Sequence, residues 1–445
     1  MVPAVWRFLC FVLVVVLVGQ NVVLWLATNK SLERAYGFPL SLEEDARASS
    51  SDVTKPWTFN VTEDGNNFAL TQTQCDSAFP DLFYEIDRAV AHRNDRSLPV
   101  KPEDVSISWR NDAAFRGLIY ENQLRILEMK GVLGNSGYRR RALSVLSQIN
   151  RAIIGATATG QKLPTIEFAV TVDDMSLLPN GDDTHAIWTF TRRIIDGDQH
   201  RLWMIPDMDY QSFFGASYAE LRGRTAQRES FLVDKIPKAV WRGVVWTNEW
   251  VRKPLVEATK GKEWADVEEV SWEKDAKDNM IPIEDYCRYA FILHTEGRSW
   301  SGRLKHILNC DSVPIIHGLD WTTWMYHLLE ADGPRQNYVP VERDYKDLEK
   351  LMKKYTKDPM LRDAQVIADN AVKTFRDRYG TPAAEACYWR RLIHSWREVS
   401  FEPEVFHNVS VNISGVPTME SRLRGVAFEE YIIEPKEVDW VKIGG

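Results

Sequence analysis

Three short polar segments carry the side chains with which this sequence could do chemistry, and each lies after an apolar run. The segments are Asp173-Asp174, Arg242-Gly243 and the loop 297–303. An aspartate in the first segment could take a proton from an attacking hydroxyl group, and arginines in the others could neutralise a leaving phosphate. The segments together predict a transfer site for an anionic substrate. The alternative is a purely structural role, in which the aspartate caps a helix or forms a turn.

The loop 297–303 lies within a strand–loop–helix pattern. Residues 289–293 are rich in aromatic and branched side chains, which predicts a buried strand, and helical apolar spacing follows over 304–308. The small residues of the loop are Gly297, Ser299, Ser301 and Gly302. Loop N–H groups and the positive end of the helix dipole would converge on one point, which favours a bound phosphate. An ordinary strand–helix unit with surface arginines is the alternative.

The elements that would position these segments alternate between strand and helix. The predicted strands are 166–172, 186–190, 202–205, 239–241, 267–270, 289–293, 313–317 and 338–341. The predicted helices are 79–90, 122–129, 139–154, 251–259, 304–308 and 321–329, with three more between 345 and 399. Two successive alternating sets predict two doubly wound α/β domains, 74–235 and 236–399, with a ligand in the cleft at the carboxyl ends of the strands. An extension, 400–445, is expected to pack on this body.

The N-terminus predicts a membrane anchor. Residues 8–27 contain no charged side chain and are long enough to span a bilayer as a helix. Trp25 and Leu26 stand where a signal peptide would need small residues before its cleavage site, although a cleaved signal peptide stays an alternative. The prediction is a cytosolic tail (1–7), a transmembrane signal anchor (8–27) and a lumenal stem (28–73).

Composition narrows the class of protein. The chain of 445 residues is 44% hydrophobic and 27% charged, which is typical of globular proteins, and its net charge of −8 argues against a nucleic-acid binder. Four cysteines lie outside the predicted span, an even number that suits two disulfides and an oxidising compartment. N-glycosylation sequons occur at Asn29, Asn60, Asn408 and Asn412.

Competing motifs have less support. Asp207 and Asp209 form a D-x-D pattern that could hold a divalent metal, but such a cation needs several convergent oxygens rather than one pair. A serine hydrolase would need G-x-S-x-G, and Ser301 stands where its last glycine would be. The sequence contains neither a Walker motif nor C-x-x-C, so a P-loop nucleotide site and a zinc or redox site are not expected.

The segment 287–310 combines a distinctive set of residues, namely Cys287, Gly297, Ser301, Arg303, Lys305, His306 and Cys310. With these residues the segment resembles glycosyltransferase family 90, which includes capsule-associated fungal transferases and Rumi-like protein O-glucosyltransferases. The run E-F-A-V-T-V-D-D-M aligns Asp174 with the general base of the family, and R-G at 242–243 precedes R-x-P-L at 252–255. R-G-x-x-F-E at 424–429 resembles the fungal branch, and the resemblance covers about residues 75–433.

The resemblance implies a GT-B architecture, in which two Rossmann-like domains face across a cleft, with 74–235 on the acceptor side and 236–399 binding a nucleotide sugar. It implies an inverting transfer from a UDP-sugar without an obligatory metal or other cofactor. Asp174 would be the base, and Arg303 and Arg242 would hold the diphosphate. Gly243, Gly297, Ser299, Ser301 and Gly302 would complete the donor site. The implied disulfides are Cys287–Cys310 and Cys75–Cys387.

The substrates are less closely defined. The donor sugar is expected to be xylose or glucose, with xylose favoured by the fungal-branch similarity, and the acceptor to be a hydroxyl of a glycan or protein. The body would lie in the Golgi or ER lumen, held by one membrane helix and glycosylated at Asn60, Asn408 and Asn412. The alternative is a membrane-anchored glycan-binding protein of the same fold without catalysis.

Overall fold

A computed structural model of the protein describes residues 57–179, 184–210, 216–270, 279–357, 360–413 and 416–440. The predicted tail and anchor, and the predicted stem up to residue 56, lie outside the described residues. Among the residues that are described, no helix is both long and apolar enough to cross a membrane. Residues 57–73, which the sequence assigned to the stem, pack on the body: Leu70 is fully buried and the Phe59 ring lies 5.1 Å from that of Phe79.

Strands and helices alternate along most of the described chain. The strands are β1 (Ala114–Tyr120), β2 (Gln123–Lys130), β3 (Ile166–Thr171), β4 (Trp188–Thr189), β5 (Arg192–Arg193), β6 (Trp203–Met204), β7 (Ile236–Gly243), β8 (Ala265–Glu269), β9 (Tyr289–His294), β10 (Val313–His317), β11 (Trp321–Thr322), β12 (Val339–Val341), β13 (Phe406–Ile413), β14 (Val416–Leu423) and β15 (Val426–Ala427). The helices are α1 (Val61–Asp64), α2 (Gln72–Ala78), α3 (Tyr84–Asp95), α4 (Ser136–Ala158), α5 (Tyr218–Ala226), α6 (Glu249–Thr259), α7 (Arg303–Ile307), α8 (Leu348–Tyr355), α9 (Met360–Thr374), α10 (Pro382–Val399) and α11 (Phe428–Ile433). The α/β class is therefore confirmed.

The first large sheet is mixed, with strand order β15-β2-β1-β3-β4-β6. Strands β3, β4 and β6 run parallel, whereas β1 pairs antiparallel with both β2 and β3. The predicted helix 122–129 is wrong, because this segment is strand β2. Glu121 and Asn122 both have positive φ, 49° and 55°, and close a tight turn that folds the segment back onto β1. The first sheet thus combines a hairpin with a parallel part.

The second large sheet is entirely parallel, with strand order β12-β10-β9-β7-β8. Numbered within this sheet, the order is that of flavodoxin-like folds, and the chain reverses direction across the sheet between β7 and β9. The predicted helix 321–329 is wrong: it contains the short strand β11, which pairs with β5, and a 3₁₀ turn at Tyr326–Leu328. The Glu296 carboxylate accepts the N–H groups of Asp320 and Trp321, which holds the start of this segment extended.

The core is continuous between the two sheets. Alternate residues of the second sheet face opposite ways: Val240 and Ile292 join the main core, whereas Trp241 and Phe291 pack under α6, α8 and α9. Six tryptophans are among the largest fully buried side chains, namely Trp188, Trp203, Trp241, Trp324, Trp389 and Trp396. The tryptophan content of the chain therefore serves the core to a large extent.

Both implied disulfides are present. Cys75 in α2 bonds to Cys387 in α10, and Cys287 bonds to Cys310 across the unit formed by β9 and α7. Helix α10 packs against α4 and β3, so the first bridge joins the start of the body to a helix on the first sheet. Asn60 and Asn408 are exposed, as glycosylation would require, whereas the side chain of Asn412 lies outside the described part.

Candidate active site

A cavity of about 900 Å³ lies where the end of β3 meets the ends of β7 and β9. Its walls include every residue that the sequence assigned to the site: Asp174, Arg242, Gly243, Gly297, Ser299, Ser301, Gly302 and Arg303. The position is the switch point of the second sheet, where open α/β sheets bind ligands, and the volume suits a small-molecule ligand. Residues from three separate segments of the chain are thus brought to one cavity.

Asp174 faces this cavity from the first sheet, with 38% of its side chain exposed. Its carboxylate pairs with Arg141 of α4 at 2.9 Å, and Arg141 also donates to the Val172 carbonyl at 3.1 Å. The Ser299 hydroxyl donates to the Asp174 backbone carbonyl. The loop of the second sheet is therefore fastened directly to the residue that would act as base, and Arg141 orients the carboxylate.

Arg242 lines the cavity, but its guanidinium is already engaged. Its Nη2 donates to Asp266 Oδ1 at 2.6 Å, and its other nitrogens donate to the carbonyls of Trp241, Asp266 and Asn279. The next residue, Gly243, has no room for a side chain, because a Cβ there would lie 2.5 Å from the Trp241 indole. Arg242 thus ties β7 to β8, and its predicted contact with a phosphate stays a prediction.

Arg252 and Arg303 form a pair of cations on one aromatic ring. Their guanidinium carbons lie 5.8 Å and 5.9 Å from the centre of the Trp241 ring, and Arg303 also lies 5.8 Å from that of Tyr286. No described carboxylate forms an ion pair with either arginine. Burial, reinforced by the charge of Arg303, lowers the pKa of Arg252 to about 10. A dianion placed between these arginines would offset both the cost of burying the Arg252 charge and the repulsion between the two cations.

The loop 297–303 supplies further donors. Arg252 donates to the Glu296 carbonyl at 2.9 Å and Asn248 donates to the Gly297 carbonyl at 2.9 Å, which fixes the start of the loop. No residue that the structure describes accepts a hydrogen bond from the amides of Ser301 and Gly302. Helix α7 is only five residues long, so its dipole is weaker than the sequence led us to expect. Side-chain charge and free amides, rather than a long helix, make this site attractive to anions.

The D-x-D pattern is neutralised from within the protein. Lys305 is buried, and its Nζ lies 2.6 Å from Asp207 Oδ1 and 3.1 Å from Asp209 Oδ2. The two carboxylates raise the pKa of Lys305, while burial raises that of Asp209 because one ammonium cannot fully compensate two acids. Across the described ranges, no group of three or more potential ligand side chains could hold a metal ion. Asp207 and Asp209 instead bind Lys305, and this contact joins the segment after β6 of the first sheet to α7.

Glu296 is a buried carboxyl group beside the loop. Its Oε1 accepts the N–H groups of Asp320 and Trp321 at 2.9 Å each, and Arg343 lies 3.4 Å from its Oε2. Burial raises its pKa from the ordinary 4.5 to about 7 despite these favourable contacts. Glu296 therefore ionises near neutral pH. Its hydrogen bond to Trp321 connects the loop to β11.

The raised pKa of Glu296 predicts a pH dependence of stability. The folded protein holds this proton more tightly than the unfolded chain, so the free energy of unfolding falls as pH rises between 4.5 and about 7. One proton contributes a slope of at most about 1.4 kcal/mol per pH unit. We expect Glu296→Gln, measured by urea denaturation across this range, to lose that slope. The exposed Glu349, whose pKa of about 2 lies below the range, provides the control Glu349→Gln, which should keep it.

Several residues at the site are absent from the sequence-based assignment. Arg141 and Lys305 act through partners 33 and 96–98 residues away, and no local pattern reveals such pairing. Arg252 could have been found, because the R-x-P-L segment was recognised, but it was not assigned a role. Trp246, an exposed aromatic residue on the rim, was also missed.

Comparison with known proteins finds similarity to one family of glycosyltransferases. A family model described as Glycosyl transferase family 90 matches residues 80–424. An O-glucosyltransferase rumi homolog of Aedes aegypti is 29% identical over 164 residues, covering 36% of this chain and 39% of that protein. The O-glucosyltransferase rumi of Drosophila pseudoobscura pseudoobscura is 30% identical over 169 residues (34% and 38%), and human Protein O-glucosyltransferase 1 is 26% identical over 140 residues (32% and 34%). The matches thus span about two fifths or less of these relatives.

Proposed function

Since this chain belongs to glycosyl transferase family 90, we propose that it transfers a sugar from a UDP-sugar to a hydroxyl group, with inversion at the anomeric carbon. The observation that carries this proposal is the cavity that joins Asp174 to Arg252 and Arg303, two cations without an ion-pair partner among the described residues. A base on one wall and an unneutralised cationic site on the other suit transfer with a diphosphate as leaving group.

The proposed roles follow from these contacts. Asp174 removes the proton of the attacking hydroxyl, and Arg141 and Ser299 hold it in place. Arg303 and Arg252 neutralise the developing charge on the diphosphate, and the amides of Ser301 and Gly302 bind its oxygens. Arg252 thereby takes the diphosphate-binding role that the sequence analysis assigned to Arg242. The apolar wall formed by Met280, Pro282, Ile283 and Tyr286 suits the flat face of the uracil ring.

The architecture and the compartment are part of the same proposal. A parallel sheet with a cavity at its switch point, facing a second sheet across that cavity, supports a GT-B arrangement. Two disulfides in a chain with exposed sequons support a lumenal, secretory setting in the ER or Golgi. For the donor sugar, the names of the relatives favour glucose, whereas the fungal-branch resemblance favours xylose.

Ligand-induced stabilisation tests the donor assignment. We expect UDP, UDP-glucose or UDP-xylose to raise the unfolding temperature, because a ligand at 100 times its Kd adds about 2.7 kcal/mol of stability. Arg303→Ala should abolish this shift, while the exposed-lysine control Lys346→Ala should leave it intact. Release of UDP from one UDP-sugar then identifies the sugar. A protein that no UDP-sugar stabilises, and that releases no UDP, would contradict the proposed function.

Metal independence predicts the outcome of chelation. Because Lys305 occupies the oxygens of Asp207 and Asp209 that a cation would need, EDTA should leave the rate of UDP release unchanged within about twofold. The comparison is the same enzyme with added manganese. Loss of activity in EDTA that manganese restores would return the diphosphate-binding role to Asp207 and Asp209.

A further inference from the structure

A second cavity of about 870 Å³ adjoins the proposed donor site, and we propose that it binds a neutral carbohydrate as the acceptor, with Trp246 and Trp250 as stacking surfaces. This inference rests on the proposed function and adds to it the chemical class of the acceptor. The two cavities share Trp246, Thr247, Gly297 and Arg298 along their common rim. Ligands in the two cavities would therefore meet at this rim.

The second cavity is placed to present a hydroxyl group to the base. Met175, Ser176 and Leu177, the three residues after Asp174, line it, while Asp174 itself lines the donor cavity. A molecule lying along the 175–177 segment would bring a hydroxyl group close to Asp174. In an inverting transfer the donor sugar would then lie between this hydroxyl group and the diphosphate, because the attacking oxygen must enter on the face opposite to the leaving group.

The aromatic residues of the rim indicate what kind of molecule fits. Trp246 is 63% exposed and Trp250 is 90% exposed, whereas six other tryptophans of the chain are fully buried. A large exposed indole loses contact with water only when a ligand covers it. One face of a pyranose ring carries mainly C–H groups, so it can cover an indole while its hydroxyls point to polar neighbours.

Polar groups and charge balance favour a neutral sugar. The Gln199 side-chain oxygen accepts from Ser176 Oγ at 3.0 Å and from the Arg193 amide at 2.6 Å, which leaves its NH₂ group without an acceptor among the described residues. The charged residues that line the cavity are Arg193, Arg298, Arg343, Asp196, Glu249 and Asp320. Three cations and three carboxylates balance, in contrast to the cationic donor site. Such mixed side chains bind hydroxyl groups without selecting for an anion.

The test compares Trp250→Ala with Phe231→Ala in the whole protein. Phe231 is 68% exposed and lines neither cavity, so its variant controls for loss of a surface aromatic residue. The probes are neutral gluco-, manno- and xylo-tetrasaccharides, a serine-containing peptide and a detergent-solubilised glycolipid. Direct binding of each probe is measured by saturation-transfer NMR without donor, and acceptor-dependent UDP release is measured separately.

We expect at least one tetrasaccharide to bind and to accelerate UDP release. Trp250→Ala should raise its Kd and KM at least about tenfold, whereas Phe231→Ala should change them less than about twofold. Acceleration by the peptide or the glycolipid alone, or a tetrasaccharide KM that Trp250→Ala does not change, would overturn the inference while leaving the transferase proposal in place. Trp250-dependent tetrasaccharide binding in a protein that binds no UDP-sugar would instead support the carbohydrate site and overturn the transferase.

Discussion

Asp174→Asn is expected to lower the turnover of sugar transfer by roughly 10²–10⁴-fold, the usual contribution of a general base. The amide keeps the shape of the carboxylate but cannot accept the proton of the attacking hydroxyl. Folding should be little affected, because the pair between Asp174 and Arg141 is partly exposed, at 38% and 24%. Exposed ion pairs contribute at most about 1 kcal/mol, so denaturation should show a small change against a large loss of turnover.

Asp173→Asn provides the matched control. Asp173 lies next to the base, but it does not line the cavity, and its carboxylate pairs with the buried Arg110 at 2.9 Å. Its other oxygen accepts the Asp174 amide at 2.7 Å, so the amide side chain should keep one of its two contacts. We expect this variant to lose stability rather than turnover. Near-normal transfer by Asp174→Asn, or a greater loss of transfer in Asp173→Asn, would remove Asp174 from the role of base.

The segments that sequence reasoning located correctly share one physical property. Strands β3, β9 and β10 are mainly apolar and are buried on both faces, although β3 also contains the buried Glu167, and polar or small residues follow each strand. Parallel strands need such runs, and ligands collect at their carboxyl ends, so the sequence alone placed Asp174 and the loop 297–303 at the same site. Both rules can be applied to a local sequence pattern, and the residues that they assigned to the catalytic and donor sites all line one cavity.

The errors arise where local pattern is ambiguous. Segment 123–130 has apolar residues at spacings that fit a helix or a strand, and the turn with positive φ at Glu121 and Asn122 decides between them. The segment after Asp320 is held by the carboxylate of Glu296, which lies in the connection between β9 and the loop 297–303. In both cases a contact outside the segment determines the conformation, so no window of sequence contains the answer.

The role of an arginine at the site also depends on contacts outside its own segment. Arg242 follows the apolar residues of β7 and Arg252 lies in the first turn of α6, and both line the cavity. Asp266 pairs with Arg242 at 2.6 Å, whereas no described carboxylate pairs with Arg252. What distinguishes a structural arginine from an anion-binding one is therefore the partner, and β8, which carries Asp266, is adjacent only in the folded sheet.

Lys305→Met is expected to lower the free energy of unfolding by about 3–5 kcal/mol, because it leaves two buried carboxylates without a counter-charge. Lys305 is 2% exposed and contacts Asp207 and Asp209 across the junction between the first sheet and α7. The Met208 carbonyl between them accepts from Ser144, so this segment is fixed to α4 as well. Loss of the ammonium should therefore loosen the loop 297–303, which α7 follows. Denaturation by urea measures the loss, and an unchanged midpoint would contradict it.

The triple variant Asp207→Asn, Asp209→Asn and Lys305→Met separates lost charge from lost packing. Neutral amides need no counter-charge, so most of the stability should return if unpaired charge is the cause. A pH series gives an independent check. In Lys305→Met, burial raises the pKa values of the two carboxylates above those of the unfolded chain, so the folded state binds more protons and stability falls as pH rises. The deficit should thus be smaller at about pH 5 than at about pH 7.5, and the triple variant should show no such dependence. A deficit that is independent of pH and persists in the triple variant would mean that the lysine stem, rather than its charge, joins α7 to the first sheet.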